Sequence, residues 1–239
     1  MKSSTQKTKS FSFKQFKIDG GCSGMPVSTD GVLLGAWVDI KQSQNLLDIG
    51  TGTGLLALMC AQRNPELQIE AIDIEENAYH AAANNFRASP WHERLTLHFG
   101  DILDTHFPHQ FDRIVCNPPY FNSGEQAQSV QRAIARHTDQ LPHHDLLTRC
   151  QSLLTPTGTA SFVLPVTEGE LFYRHAFSSG WSLKRLLSIK PTEKKPINRL
   201  LIELSLAPCQ PSQRQLLIRE NGQYSAEFIH LTQAFYLKM

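Results

Sequence analysis

The sequence predicts an α/β domain built on a mostly parallel sheet covered by helices. Three observations carry this reading. Short apolar runs alternate with stretches of helical periodicity, the pattern of chained strand–helix units. A glycine-rich turn, Asp48-Ile49-Gly50-Thr51-Gly52-Thr53-Gly54, stands where a first strand would hand over to a helix. Near the C-terminus two long apolar runs follow each other with no helical pattern between them, so they should pair antiparallel.

Taken in order, a helix is expected over 31–40, capped by Thr29 or Asp30, because Val32, Leu33, Ala36 and Trp37 recur at helical spacing. A strand at 45–49 enters the glycine turn, and a helix at 55–63 leaves it. Strands at 68–72, 95–99, 112–116 and 159–164 follow, with helices at 75–88 and 144–154 between them. The final runs, 181–189 and 200–206, flank a basic linker at 190–196. Five parallel strands and this hairpin make a seven-stranded sheet. Residues 1–20 read as a basic, flexible tail and 21–239 as a single domain, with neither internal repeats nor a second core.

The chain has 239 residues, 41% hydrophobic and 19% charged, enough to bury a core of ordinary composition. The first ten residues are polar, and no apolar run follows their lysines, so they read as neither a signal peptide nor a membrane segment; the expected location is the cytoplasm. Cys22, Cys60, Cys116, Cys150 and Cys209 form no C-x-x-C pair and read as reduced, mostly buried thiols. No metal site is expected, since His143-His144 has no accompanying cysteine or acidic ligand pattern. The net charge of +1 conceals segregation. Residues 1–20 carry five lysines against one aspartate, residues 21–173 eight basic against 17 acidic groups, and residues 174–219 nine basic against two acidic. A polyanionic partner held by the basic additions follows from this, with no obligate protein partner evident.

The glycines of the turn, Gly50, Gly52 and Gly54 with Thr51 among them, allow close approach of a ligand to the backbone. The spacing is not that of a dinucleotide fingerprint, and Asp48 stands immediately before the turn. A carboxylate there suits a cofactor that carries a sulfonium and an ammonium and no pyrophosphate. Asp73 ends the second strand, where it can accept from two ribose hydroxyls, with Ile74 beside it. Asp101 ends the third, where it can accept from an adenine amino group while Ile102 packs on the ring. Three carboxylates at three successive strand ends define one elongated ligand, and S-adenosylmethionine fits it.

Asn117-Pro118-Pro119-Tyr120 follows the fourth strand at the same edge, in a turn that the prolines stiffen. An aromatic amino group is a poor nucleophile because its lone pair is delocalised into the ring. If the Asn117 side-chain oxygen and the Pro118 carbonyl accept its hydrogens, the lone pair is driven out of conjugation toward the methyl donor. Tyr120 can stack on the base. A side-chain amide of a protein glutamine or guanine N2 of ribosomal RNA would suit the same loop, and a noncatalytic RNA-binding module could keep the glycine turn for structure alone. The basic C-terminal part favours a nucleic acid.

These residues resemble the class I methyltransferases of the N-P-P-Y type and, among them, the bacterial adenine-N6 methyltransferases of valine tRNA. The resemblance extends past the general motifs to Met25-Pro26-Val27-Ser28-Thr29-Asp30-Gly31-Val32-Leu33-Leu34-Gly35-Ala36-Trp37 and Arg136-His137-Thr138-Asp139, and covers nearly the whole chain. It implies a Rossmann-like fold and methylation of the adenine 3′-adjacent to the anticodon of tRNA(Val). It also implies that Met25, Thr29 and Asp30 close over the methionine end of the cofactor, and that Arg136 and His137 lie near the RNA entrance. Lys184, Arg185, Lys190, Lys194, Lys195 and Arg199 would then form the tRNA-binding surface.

Overall fold

The computed structural model describes residues 8–23, 25–118 and 143–238. A two-stranded antiparallel ribbon, β1 (Phe11–Ser12) and β2 (Lys17–Ile18), precedes the main sheet. In that sheet β3 (Asn45–Ile49), β4 (Gln68–Asp73), β5 (Leu95–Phe99), β6 (Phe111–Cys116) and β7 (Leu154–Pro165) run parallel in the spatial order β7-β6-β3-β4-β5. Both faces of its centre are covered, so β3 reads as an unbroken buried run and not as an alternation. Leu46, Val115, Val163 and Leu201 join the core on one face. Leu47, Ile49, Ile114, Phe162 and Ile202 join it on the other.

The chain then reverses as expected. β8 (Ser182–Thr192) and β9 (Arg199–Ser205) form an antiparallel hairpin, with β9 inserted between β7 and β8. The expected seven strands are all present, and the sheet continues for two more. β10 (Ser212–Glu220) lies parallel to β8, and β11 (Gln223–Tyr224) closes the edge.

Helices α1 (Thr29–Trp37), α2 (Leu55–Arg63), α3 (Glu76–Ala88) and α4 (His143–Leu153) fall within a few residues of their expected positions. The cap of α1 is Ser28, whose hydroxyl accepts from Gly31 N at 3.1 Å; Asp30 sits in the first turn instead. A Cβ on Gly35 would stand 2.7 Å from Met59 Sδ, so this glycine is what lets α1 seat directly on α2. Two helices, α5 (Val166–Ser178) and α6 (Ala226–Thr232), were not read from the sequence. In α5 the apolar positions 166, 169, 172 and 176 have helical spacing, but Gly169 reads as a breaker. Its actual role is close approach, since a Cβ there would meet Leu200 Cδ1 at 3.1 Å.

The flexible tail expected over residues 1–20 gives way, from residue 8, to packed structure. Phe13, Phe16 and Ile18 are buried, the rings of Phe13 and Phe16 stack at 4.6 Å, and Lys14 N donates to Phe235 O. Burial of these apolar groups outweighs the local excess of lysine. Residues 1–7 lie outside the described residues.

Candidate functional site

Parallel register brings four strand ends to one line. Ile49 pairs with both Ile72 and Cys116, and Asp73 pairs with Phe99. Residues 50, 74, 100 and 117, which follow them, therefore share the C-terminal edge of the sheet, the position at which open α/β sheets bind ligands.

The glycine turn is shaped by its backbone. Gly50, Gly52 and Gly54 have φ of 66°, 59° and 83°, the left-handed region that favours glycine. Nothing lies within 4 Å of a Cβ built on Gly50, so open space faces the turn there, whereas one on Gly54 would meet the Phe86 ring at 2.5 Å. Asp48 is fully buried beneath the turn. Its Oδ2 accepts from Thr51 Oγ1 at 2.6 Å and from Ala57 N at 3.2 Å, while Oδ1 is buried without a partner among the described residues. Burial pushes its carboxyl up to about 7, against the opposing effect of those two hydrogen bonds. Asp48 thus braces the turn from behind, a more internal place than the sequence suggested.

Asp73 reaches the same turn from β4. Its Oδ2 accepts from Gly52 N at 2.7 Å and its Oδ1 from Glu75 N at 2.9 Å; burial raises its carboxyl and these donors oppose the rise. A carboxylate has about four acceptor sites, so the group keeps capacity beyond its backbone donors. Asp101 accepts from Leu103 N at 2.9 Å. Ile102 is only 5% exposed and belongs to the core, while Ile74 (43%) and Phe99 (57%) are the apolar side chains left exposed along this edge. Phe99 was missed, and the signal for it was an aromatic residue ending a strand just before a glycine. Asn85 was missed too. It donates to Thr53 O at 2.8 Å and to Asp19 O at 3.0 Å, tying the turn to the N-terminal segment.

Asn117 begins where β6 ends. Among the described residues its Oδ1 is buried without a hydrogen-bond partner, one of nine side-chain atoms in that state and the one that stands just past a strand end at this edge. Pro118 beside it is buried. Pro119, Tyr120, Arg136 and His137 lie outside the described residues. The segment ahead of α1 approaches the turn: Met25 is 47% exposed, and its Cε would stand 3.1 Å from a Cβ on Gly52. Thr29 is exposed and Asp30 binds Arg199 Nε through Oδ2 at 2.7 Å.

The basic residues divide into two groups. Lys184 and Arg185 both engage Glu203, which is wholly buried; the Lys184 contact is 3.1 Å, and Arg185 also lies over the Trp37 ring at 4.2 Å. The structure therefore gives these two internal partners. Lys194 and Lys195 are exposed at the tip of the β8–β9 hairpin, and Lys190 is half-buried near it. A groove of about 740 Å³ lined by Trp37, Arg185, Arg214, Glu227 and His230 contains none of the strand-end residues. Among the described residues no cluster of His, Cys, Asp and Glu could hold a metal ion, and no helix is long and apolar enough to cross a membrane. The cysteines are free; Cys60, Cys116 and Cys150 are buried, and Cys22 and Cys209 are exposed.

A glycine turn after the first sheet strand, acidic groups at the next two strand ends and a reversed hairpin beside the last of the five parallel strands define the class I methyltransferase fold. Solved structures share it. A predicted O-methyltransferase from Agrobacterium tumefaciens superposes with a TM-score of 0.69, covering 86% of this chain and 96% of that one at 14% identity. The glycopeptide N-methyltransferase MtfA, complexed with (S)-adenosyl-L-methionine, gives 0.53 over 70% and 83% at 13% identity. Residues 28–163 match the model of the methyltransferase small domain. The tRNA1(Val) (adenine(37)-N6)-methyltransferase of Vibrio vulnificus (strain YJ016) is 61% identical over 239 residues, covering 100% of both chains. Its counterpart in Vibrio cholerae (strain ATCC 39315 / El Tor Inaba N16961) is 52% identical over the same span. The chain belongs to the methyltransferase small domain family and, within it, to the family of these tRNA1(Val) (adenine(37)-N6)-methyltransferases.

Proposed function

We propose that this chain methylates the exocyclic N6 of an adenine in tRNA, with S-adenosylmethionine as donor, and that the adenine is the one 3′-adjacent to the anticodon of tRNA(Val). The observation that carries the chemistry is Asn117 Oδ1, unpartnered among the described residues, one residue past the Ile49–Cys116 pair and beside the glycine turn. The substrate rests on full-length relatives whose names specify it. A tRNA-modifying role supports a cytoplasmic location.

In this reading the exposed Gly50, the turn that it opens and the side chains of Met25 and Thr29 hold the amino-acid end of the cofactor. Asp73 accepts from the ribose hydroxyls and Asp101 from the adenine amino group, with Ile74 and Phe99 against the ring. Asp48 acts through the turn it braces. Bound S-adenosylmethionine supplies the methyl group on a cationic sulfur. Asn117 Oδ1 and the Pro118 carbonyl accept the two hydrogens of the acceptor nitrogen, which frees its lone pair for in-line attack. The proton then passes to solvent, so no general base is assigned. Tyr120 supplies the stacking face and Pro119 stiffens the loop, and the base must leave its stack to reach them. Lys190, Lys194 and Lys195 hold phosphates near this edge, and Arg136 and His137 contact RNA at the entrance.

The test is methyl transfer from labelled cofactor into total tRNA, total rRNA and release-factor protein, followed by mapping of the modified nucleotide. Label confined to the adenine 3′ of the valine anticodon is expected. Label in protein alone would overturn the RNA reading.

A further inference from the structure

We infer that Arg199, although it lies in the basic hairpin, serves the cofactor side of the site: through Asp30 it positions the first turn of α1 and the segment that covers the glycine turn. This rests on the reading of that turn as the cofactor site. The ion pair is short, 2.7 Å between Nε and Oδ2, and both side chains are mostly withdrawn from solvent, at 21% and 14% exposure. Arg199 Nη1 also donates to the adjacent carbonyl, Asn198 O, at 2.9 Å, so two of its nitrogens are engaged within the protein. A phosphate contact needs the opposite presentation, such as the exposed Lys194 and Lys195 offer.

The anchor is rigid at its origin. Arg199 opens β9 in register with Pro165 of β7 and Ile189 of β8, so neighbouring strands fix its backbone. At the other end, the body of α1 is already set against α2 by Gly31 and Gly35, which leave no room for a Cβ beside Leu55 and Met59. Asp30 lies in the helix turn that leads back through the Ser28 cap to Met25, whose Cε approaches Gly52. The ion pair therefore ties the sheet to that turn at the end nearest the ligand. Arg199 touches no reacting atom and is a positioning residue.

The experiment is calorimetric binding of S-adenosylhomocysteine, without RNA, to the wild type, Arg199→Gln, Asp30→Asn and the double variant, with KM values for S-adenosylmethionine and for tRNA. Each single change should weaken binding about five- to tenfold, with the double no weaker than either, as coupled partners behave. The cofactor KM should rise in step, and the tRNA KM should move by less than about twofold. Arg199→Lys should restore part of the affinity, because an ammonium can still reach the carboxylate. Unchanged cofactor binding in Arg199→Gln, additive losses, or a rise confined to the tRNA KM would each overturn the inference alone. A wild-type chain that itself binds no S-adenosylhomocysteine overturns the cofactor reading and this inference with it.

Discussion

Asp48 and Glu203 are two buried carboxylates on one sheet, and they differ in how their charge is met. Glu203, on the hairpin side, holds Lys184 and Arg185. Asp48, under the glycine turn, has a hydroxyl and an amide on one oxygen, nothing on the other, and among the described residues no ion pair. The same contrast separates the two regions. Around the hairpin, Lys184, Arg185 and Arg199 have carboxylate partners, although Glu203 Oε1 makes no well-aligned hydrogen bond among the described residues. Under the glycine turn and at the end of β6, Asp48 Oδ1 and Asn117 Oδ1 have neither a hydrogen bond nor a cation among those residues. Internal satisfaction contributes to the fold, whereas unmet polar capacity at a ligand-binding edge indicates function.

The sharpest test of that contrast is Asn117→Ala. Loss of a group that polarises the acceptor should lower kcat on the order of 10²–10³, with S-adenosylhomocysteine affinity little changed. If calorimetry shows cofactor binding lost together with turnover, Asn117 belongs with the structural residues. Glu203→Ala should act in the opposite sense, costing about 3 kcal/mol of stability, the low end for breaking a buried pair because both cations can reach water. Denaturant unfolding measures this, and cofactor affinity per folded molecule should hold.

Asp48 is tested by pH. Its folded carboxyl, raised by burial to about 7, keeps a proton that the unfolded chain releases near 3.8, so the folded state binds more protons between those values and stability falls as pH rises. Between pH 5 and 7 the wild type should lose on the order of 2 kcal/mol that Asp48→Asn does not lose. Matching urea-unfolding profiles for the two proteins would show that the carboxyl is not held protonated. The smallest expected effect is at the hairpin tip. Reversing Lys194 and Lys195 to glutamate should weaken tRNA binding about tenfold and reduce the salt-dependence slope by roughly 1.5 to 2. A filter-binding slope that does not move would remove both lysines from the interface.

Much of the sheet was legible because parallel strands buried on both faces announce themselves as apolar runs, and β3, β5 and α2 fall where periodicity put them. The helix over 166–178 was not, since Gly169 has the look of a breaker and only its packing on Leu200 explains it. β10 escaped because most of it is exposed and polar, so its pairing with β8 carries little hydrophobic signal. The lysines that were read as a tail accompany Phe13 and Phe16, and proximity to Phe235 at the far end of the chain is what buries them.

Which groups stand at the strand ends was written in the order of the residues. Glycines with positive φ, strand-terminal carboxylates and Asn117 after β6 each depend on a few neighbours in the chain, and parallel register then aligns them. What each charge does depends on packing between distant segments. Lys184, Arg185 and Arg199 look alike in a run of basic residues, yet their partners lie 19, 18 and 169 positions away in Glu203, Glu203 and Asp30. A charge's role depends on its nearest neighbours and their burial, and those are properties of the folded chain.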